Sequence, residues 1–370
     1  MNLWNETLDA LKPYTVASHK IWEVEPERRG QMLKLDWNEA AVPPSPLVRQ
    51  SLQALLQQED FFHLYPATFN EELMQCLSDY TKLPPENIQY FGGSDDLHEY
   101  LVRAYLKEGD RVLILWPSYD NFRLTAESTG ARLFYGELGE DFAFDEEAFR
   151  RRIETVRPRL VYLCNPNNPS GTLVPVSTIA AFLDDYPEIC FLVDEAYGEF
   201  AGESAGELVL SRDNLLITRT LSKAFALANL RFGYLLASRG NIEAVSKIRN
   251  PKNINTFTQA AAISALKDAA YMRAYVREVQ EARDWFIEEI RKGPLSTYLK
   301  AFPSQGNFVL LRCSAPEVKM VLARQWEEKQ IFVRDVRQSE TLENCLRVTI
   351  GRKSQMERVI EAALLAFPIQ

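Results

Sequence analysis

The chain has 370 residues, of which 46% are hydrophobic, and carries a formal net charge of −9 at pH 7. This length allows a large buried core and predicts two or three domains. The acidic balance argues against nucleic acid and anionic membranes as partners, because both are bound through basic surfaces. We therefore expect a globular protein that acts on a small polar molecule.

The N-terminal segment has neither a targeting sequence nor a strand pattern. Residues 1–14 (MNLWNETLDALKPY) lack the basic and apolar stretches of a secretory signal. No later run reaches the roughly 18 apolar residues that span a bilayer. We expect a cytoplasmic protein that does not bind membranes, in which residues 1–40 form an arm that packs on a smaller domain or on a partner subunit.

The middle of the chain alternates short apolar runs with segments of helical period. The runs cover residues 111–116, 132–135, 159–164, 189–193, 215–218 and 234–236. This alternation predicts an α/β fold in which helices cover both faces of a mostly parallel sheet, and we assign residues 41–255 to this large domain. Ligands of such sheets bind at the carboxyl ends of the strands, so the functional residues are expected in the turns that follow these runs.

After about residue 255 the pattern changes to a long amphipathic stretch that reaches about residue 292 and stops at Gly293-Pro294. Three predicted strands and two predicted helices follow. The strands cover 307–312, 331–334 and 346–350, and the helices lie near 315–329 and 353–366. Residues 256–370 are therefore predicted to form a linking helix and a smaller C-terminal α/β domain.

The cysteines and histidines offer few parts for a metal site or a nucleophile triad. The cysteines are Cys76, Cys164, Cys190, Cys313 and Cys345, and the histidines are His19, His63 and His98. The cysteines are odd in number, widely spaced and mostly within apolar runs, as is typical of reduced core thiols. No zinc spacing and no Ser-His-Asp set is evident, so we expect no metal and an organic cofactor instead.

Residues 220–231 (TLSKAFALANLR) place a lysine, two hydroxyls and an arginine directly after an apolar strand. A lysine in such a turn can lose part of its hydration and lie among anion-binding groups. Taken alone, Lys223 is more simply explained as a solvated lysine at the start of a helix.

Asp194 and Tyr197 follow the strand predicted at 189–193. A carboxylate against a pyridine nitrogen keeps that nitrogen protonated, which makes a pyridoxal ring an electron sink. A phenol three residues later can donate a hydrogen bond to the 3-oxygen of the ring. The ordinary alternative is an N-cap aspartate with a core tyrosine.

Two further turns are rich in polar residues. Asn168 lies between two prolines in 165–171 (NPNNPSG) and can donate to the same 3-oxygen, although the segment is also an ordinary turn. Gly93, Ser94 and Asp95 precede a helical pattern, where backbone N–H groups can bind a phosphate or Ser and Asp can simply cap the helix. Tyr119 can stack on a planar ring, as aromatic side chains often do.

Together these segments resemble the aspartate-aminotransferase superfamily of pyridoxal-phosphate enzymes (fold type I), and within it the histidinol-phosphate aminotransferase branch. Nine ordered matches carry the resemblance. They are LKPY at 11–14, LDWNE at 35–39, YP at 65–66, GSD at 93–95, PSY at 117–119, NPNNPSG at 165–171, DEAY at 194–197, TLSK at 220–223 with Arg231, and Arg334 with LRVT at 346–349. The resemblance implies a large domain with a seven-stranded, mostly parallel sheet and a smaller C-terminal α/β domain.

Carried over to these positions, the resemblance implies that Lys223 holds pyridoxal 5′-phosphate as a Schiff base and moves a proton between substrate and cofactor. Asp194 would hold the ring nitrogen, and Asn168 and Tyr197 the 3-oxygen. The residues implied for the phosphate and the ring face are Gly93, Ser94, Asp95, Tyr119, Thr220, Ser222 and Arg231. Tyr65 would reach the phosphate in the neighbouring subunit, which implies a homodimer with shared sites.

For the substrate, the resemblance implies that Arg347 binds a carboxylate, a bidentate task that suits guanidinium. Arg334 matches an arginine that helps to bind a substrate phosphate, although either arginine can also be an exposed strand residue. Tyr14 and Asn38 would line the same pocket. The expected reaction is amino transfer between glutamate or 2-oxoglutarate and a small, phosphorylated or aromatic amine or amino acid.

Three departures from the family pattern leave the substrate open. They are WNEA at 37–40 in place of Asn-Glu-Asn-Pro, Asn229 in place of a glycine, and Asp96 in place of a glutamate. A pyridoxal-phosphate-dependent decarboxylase of phospho-amino acids is the alternative within the superfamily. A cofactor-bearing regulator is a third reading, against which stand the acidic charge and the lack of an added DNA-binding segment.

Overall fold

The computed structural model describes residues 6–13, 20–337 and 339–367. Within these ranges the strands form one sheet of seven strands and one of five. Tyr14, one of the residues implied for substrate binding, lies outside the described residues.

The strands are numbered β1 to β12 along the chain. They are β1 (Leu33–Leu35), β2 (Ile88–Phe91), β3 (Arg111–Trp116), β4 (Arg132–Glu137), β5 (Leu160–Cys164), β6 (Cys190–Asp194), β7 (Leu215–Thr220), β8 (Gly233–Ala237), β9 (Leu299–Ala301), β10 (Phe308–Cys313), β11 (Ile331–Asp335) and β12 (Cys345–Thr349).

The helices are numbered α1 to α13. They are α1 (Pro26–Arg29), α2 (Pro46–Leu55), α3 (Glu71–Thr81), α4 (Ser94–Tyr105), α5 (Asp120–Glu127), α6 (Glu146–Val156), α7 (Val176–Asp185), α8 (Gly198–Ala201), α9 (Arg239–Ser246), α10 (Thr256–Lys267), α11 (Ala269–Lys292), α12 (Pro316–Glu328) and α13 (Lys353–Ala366). Within the described ranges, no helix combines the length and the apolar character needed to cross a membrane.

The larger sheet has the order β2-β8-β7-β6-β5-β3-β4. Neighbouring strands from β7 to β4 pair in parallel, whereas β8 runs antiparallel to both of its neighbours. Every residue of β5 (LVYLC) and β8 (GYLLA) is buried, as expected for strands whose two faces are both covered. The prediction of a mostly parallel seven-stranded sheet is confirmed.

The smaller sheet has the order β1-β11-β12-β10-β9, in which β1 pairs with β11 in parallel and the other pairs are antiparallel. The expectation that the first 40 residues contain no strand was wrong, because β1 lies at the edge of this sheet. Three residues are too few to show a strand period. The sequence pattern also did not predict β9, which has three residues, or β2, which has four, for the same reason.

The amphipathic stretch after residue 255 is two helices rather than one. Asn255 caps α10 by accepting from the Thr258 N–H, and the chain leaves helical geometry at Asp268 before α11 begins. The Asp268 carboxylate accepts a hydrogen bond from Ser45 Oγ at 2.5 Å, so the break is attached to the start of α2. The predicted helices near 315–329 and 353–366 are present as α12 and α13.

The parallel register brings the predicted site residues to one edge of the larger sheet. Cys164 pairs with Asp194, and Asp194 pairs with Thr218, so β5, β6 and β7 end beside one another. The turns that carry Asn168, Tyr197 and Lys223 therefore follow adjacent strand ends. The smaller sheet supplies β12 to the same region, where Arg347 bonds to Asn168.

Candidate active site

Lys223 lies at the centre of this edge, between the two sheets. Its Nζ donates to the Trp37 carbonyl oxygen at 3.0 Å and lies 5.9 Å from the centroid of the Tyr197 ring. Burial, together with the positive charge of Arg347, lowers the pKa of Lys223 to about 8. Roughly a tenth of this amine is therefore uncharged, and hence nucleophilic, at pH 7, far more than of a solvated lysine.

The Tyr197 hydroxyl is held by two amides. It accepts hydrogen bonds from Asn38 Nδ2 at 3.0 Å and from Asn168 Nδ2 at 3.2 Å. Burial raises the pKa of Tyr197, so the phenol keeps its proton. Because a phenol oxygen has two lone pairs and one hydrogen, both acceptor positions are used and the O–H remains available to donate to a ligand.

Two arginines lie side by side on the smaller sheet. Arg347 is 7% exposed and donates from Nη1 to Asn168 Oδ1 and from Nη2 to the Asp36 carbonyl oxygen, both at 2.6 Å. Arg334 is half-buried and pairs with Arg347 directly across the β11–β12 ladder, which puts both side chains on one face of the sheet. Two neighbouring guanidinium groups favour a ligand with more than one negative charge.

Asp194 is buried at 2% exposure, and burial raises its pKa. Its Oδ2 accepts from the Tyr162 hydroxyl at 3.0 Å, and its Oδ1 accepts from the Ala196 N–H at 3.1 Å. His98 Nε2 lies 3.7 Å from Oδ2. The carboxylate is thus held in one orientation from several sides.

The start of α4 forms an anion cradle with the turns after β7 and before β8. The α4 N-cap is Gly93, with φ of 110°, where a side chain would be strained and a Cβ would lie 2.9 Å from Arg231 Nη2. A Cβ on Gly233 would lie 2.6 Å from the Ser94 nitrogen. Only glycine permits this close approach, which brings the first N–H groups of α4, with their positive end of the helix dipole, next to β8.

Hydroxyl and charged groups surround this cradle. Thr220 Oγ1 donates to the Phe232 carbonyl oxygen and lies 2.9 Å from Ser222 Oγ, and both side chains are buried. Asp95 accepts from the Tyr119 hydroxyl at 2.9 Å and pairs with Arg231 at 3.1 Å. The Asp95 carboxylate therefore orients Tyr119 and Arg231.

The sequence-predicted residues are brought together, with two exceptions. Tyr65 is 80% exposed, and Lys252 Nζ lies 4.3 Å from the centroid of its ring, so it belongs to the surface of this chain. Tyr14 lies outside the described residues. Sequence reasoning missed Tyr162, Thr218 and His98, because each is buried under the site and none belongs to a motif: Tyr162 and Thr218 lie within apolar strands, and His98 lies within a helix.

Chemically, this edge offers a partly neutral amine, a buried carboxylate, a phenol with a free proton, an anion cradle and two adjacent arginines. Such a set can hold a planar phosphorylated group by its two ends and present an acidic substrate to it. The amine can bond covalently to an aldehyde and transfer a proton.

Comparison with known proteins gives the family. The model of the family described as aminotransferase class I and II matches residues 30–362. A dihydroxyacetone phosphate transaminase from Campylobacter jejuni is 37% identical over 358 residues, covering 96% of this chain and 95% of the relative. A histidinol-phosphate aminotransferase from Ruminiclostridium cellulolyticum is 33% identical, covering 87% of this chain and 89% of the relative.

Solved structures agree. The histidinol-phosphate aminotransferase from Sinorhizobium meliloti, in complex with pyridoxal 5′-phosphate, superposes with a TM-score of 0.85 at 25% identity, over 99% of this chain and 98% of that one. An L-threonine-O-3-phosphate decarboxylase from Porphyromonas gingivalis has a TM-score of 0.77 at 23% identity, over 91% and 99%. At that identity the likeness shows the fold alone, so the decarboxylase alternative gains no support beyond it.

The lowered pKa of Lys223 predicts a distinct pH dependence of its reactivity in the cofactor-free protein. The neutral amine is the reacting form, so labelling of Lys223 by an amine-specific reagent should rise with pH, reach half its maximum near pH 8 and then level off. Solvated lysines should keep gaining reactivity up to about pH 10.4. Mass spectrometry of digests labelled at a series of pH values measures both in one sample.

Arg347→Gln provides the control, since it removes the cation that acts with burial to lower the pKa. The half-maximum of Lys223 labelling should then move to higher pH. If Lys223 instead follows the surface lysines in the unaltered protein, its amine is not desolvated as described.

The family model covers most of the chain, and the relatives align over nearly their whole length. The fold, the cofactor of the matched structure and the chemistry of the edge agree with one another. The chain belongs to the aminotransferase class I and II family and is a pyridoxal-5′-phosphate-dependent transaminase of the histidinol-phosphate aminotransferase-like group.

Proposed function

We propose that the edge around Lys223 is the active site, and that it transfers an amino group between glutamate and a small phosphorylated substrate. The observation that carries this is the half-buried Lys223, whose amine has its pKa lowered to about 8 and lies 5.9 Å from the centroid of the Tyr197 ring. When bound, the cofactor supplies an electron sink for the charge left at the substrate's α-carbon. The protein's residues bind, orient and move the proton.

The residues fit the cofactor at each of its polar positions. The cradle at Gly93 and Ser94 suits the phosphate, because two glycines keep side chains away from helix N–H groups. Thr220, Ser222 and Arg231 add donors to the same place. We assign the ring face to Tyr119, which Asp95 holds by its hydroxyl.

The other end of the cofactor is assigned to buried groups. Asp194 suits the ring nitrogen, because a carboxylate favours the protonated form of that nitrogen. Tyr197 has its O–H available for the 3-oxygen, and Asn168 supplies the neighbouring amide. Lys223 is assigned the covalent attachment and the transfer of a proton to and from the substrate's α-carbon at Nζ.

Substrate selection is assigned to Arg347 and Arg334, with Asn38 fixing the wall of the pocket through Tyr197 and Thr349. Arg347 would hold the carboxylate of glutamate. The two named relatives act on dihydroxyacetone phosphate and on histidinol phosphate, whose carbon skeletons differ but which both carry a phosphate. We infer that the partner of glutamate here is a small phosphorylated amine or ketone, and that Arg334 helps to bind its phosphate.

We also propose a homodimer in which Tyr65 contributes to the partner's site. Large apolar side chains are exposed around Tyr65, namely Leu56, Phe62, Leu64 and Phe69. Several large exposed apolar side chains within one short stretch of chain suit an interface better than solvent. We also place the enzyme in the cytoplasm, because its five cysteines are free thiols, as expected in a reducing compartment.

Glutamate alone should convert the cofactor-loaded enzyme in a half-reaction. We expect one equivalent of 2-oxoglutarate per active site and loss of the visible absorption of the bound cofactor, measured by a coupled assay and by spectroscopy. A phosphorylated ketone such as dihydroxyacetone phosphate should then restore the absorption. Carbon dioxide released from a phospho-amino acid, without 2-oxoglutarate from glutamate, would favour the decarboxylase instead.

Lys223→Ala is the matched control for that experiment. Borohydride reduction should fix the cofactor to residue 223 in the unaltered enzyme and to no lysine in the variant, as read by peptide mass spectrometry. A cofactor adduct at another lysine would exclude Lys223 as the attachment point.

Arg334→Gln should discriminate between phosphorylated and unphosphorylated substrates. Losing a charge-assisted hydrogen bond costs about 1.5–3 kcal/mol, so KM for the phosphorylated substrate should rise about tenfold or more while KM for glutamate changes little. Arg337→Gln, two residues beyond β11 and exposed, is the control and should leave both constants unchanged. Equal changes for the two substrates would remove Arg334 from phosphate binding.

Shared sites predict complementation between two weakened variants. In a reassembled mixture of Lys223→Ala and Tyr65→Ala chains, about one site in four should combine an intact Lys223 with an intact Tyr65 from its partner. Transaminase activity should therefore exceed the mean of the two separate variants, with gel filtration confirming dimers. Activity that stays at this mean places both residues in the same subunit's site.

A further inference from the structure

His98 is a titratable residue on the buried face of α4, whose other buried residues are apolar or aromatic. It lies on α4 with 0% exposure, next to the fully buried Leu97. The rings of Phe122 and Tyr162 pack edge-on against the imidazole, with centroids at 5.5 and 5.8 Å. Burying an imidazole is costly unless a polar partner offsets the lost hydration, so its contacts decide what it does.

The contacts of His98 lead to Asp194. Its Nε2 lies 3.3 Å from Thr218 Oγ1 and 3.7 Å from Asp194 Oδ2. The Thr218 hydroxyl donates to the Asp194 carboxylate. Because that hydroxyl has a single hydrogen, it must accept from His98, so the imidazole carries a hydrogen on Nε2.

The other ring nitrogen agrees with this direction. Among residues 6–13, 20–337 and 339–367, nothing makes a hydrogen bond to His98 Nδ1. All the polar interactions of the imidazole therefore point to Thr218 and Asp194. If this position only filled the space between Phe122 and Tyr162, a leucine would do so without burying polar atoms.

The position of His98 on α4 links the two ends of the site. Ser94, whose N–H belongs to the anion cradle, is four residues earlier and so lies on the same face of the helix, one turn away. One rigid helix thus fixes the cradle and reaches the carboxylate at the opposite end. Thr218 contacts His98 from β7, the strand that leads to Lys223.

We propose that His98 is a positioning residue for Asp194, which it holds through Thr218 in the orientation and ionised state needed to bind the protonated ring nitrogen of the cofactor. This rests on the role assigned to Asp194 above. Burial raises the pKa of Asp194, and His98 is the foremost of the groups that oppose this rise. His98 itself does not touch the cofactor.

The test uses pyridoxamine 5′-phosphate labelled with ¹⁵N in the ring, which binds without a bond to Lys223. Its nitrogen chemical shift reports protonation, and titration gives its Kd. In His98→Leu the shift should move toward that of unprotonated pyridine, and Kd should rise about tenfold or more, as expected for a lost hydrogen bond to a charged group. His98→Gln, which can donate to Thr218, should restore most of both values.

Thr218→Val removes the connecting hydroxyl without changing the volume much and leaves His98 in place. It should shift the nitrogen signal in the same direction as His98→Leu, and the double variant should go little further, because both act on one path. An unchanged nitrogen shift in His98→Leu and in Thr218→Val would make His98 a packing residue and overturn the proposal. Thr218→Val decides the matter if His98→Leu does not fold.

Asp194→Asn separates this proposal from the one on which it rests. A large loss of ring protonation in Asp194→Asn, with none in the His98 and Thr218 variants, overturns only the role of His98. An unchanged signal in Asp194→Asn overturns the assignment of Asp194 itself, and with it this inference.

Discussion

The site depends on one chain of hydrogen bonds that crosses from the smaller sheet to the larger. Arg347 on β12 donates to Asn168 Oδ1, and Asn168 in turn donates to the Tyr197 hydroxyl, which also accepts from Asn38. These groups are buried, so each broken link would leave an unsatisfied polar atom. These hydrogen bonds therefore set the distance between Arg347 and the groups assigned to the cofactor.

Charge balance within this edge explains why the lysine suits its task. Lys223 has lost part of its hydration and feels the positive charge of Arg347, and both effects favour its neutral form. Asp194 is also buried, but hydrogen bonds from Tyr162 and Ala196 stabilise its charged form. The Lys223 amine is thus in a state that can accept a proton, whereas the Asp194 carboxylate is an anion that can stabilise a cation beside it.

The two arginines assigned to the substrate are positioned by strand pairing rather than by loops. Arg334 and Arg347 are thirteen residues apart in the chain but directly opposite in the β11–β12 ladder. Rigid strands keep the two guanidinium groups adjacent, which suits a multiply charged anion. The segment 37–40, where the sequence departs from the family pattern, contacts Lys34 through Trp37 and Glu39.

Strand runs and turn residues are local signals, so they predicted the α/β alternation and the turns after β5, β6 and β7; the family resemblance then singled out Asn168, Asp194 and Lys223 within those turns. Short strands such as β1 were not predicted, because three residues show no period. Only the tertiary structure decided which distant groups meet: Asn38 reaches Tyr197 across 159 positions, and His98 reaches Thr218 across 120. Such contacts depend on sheet register and helix packing, which no local pattern encodes.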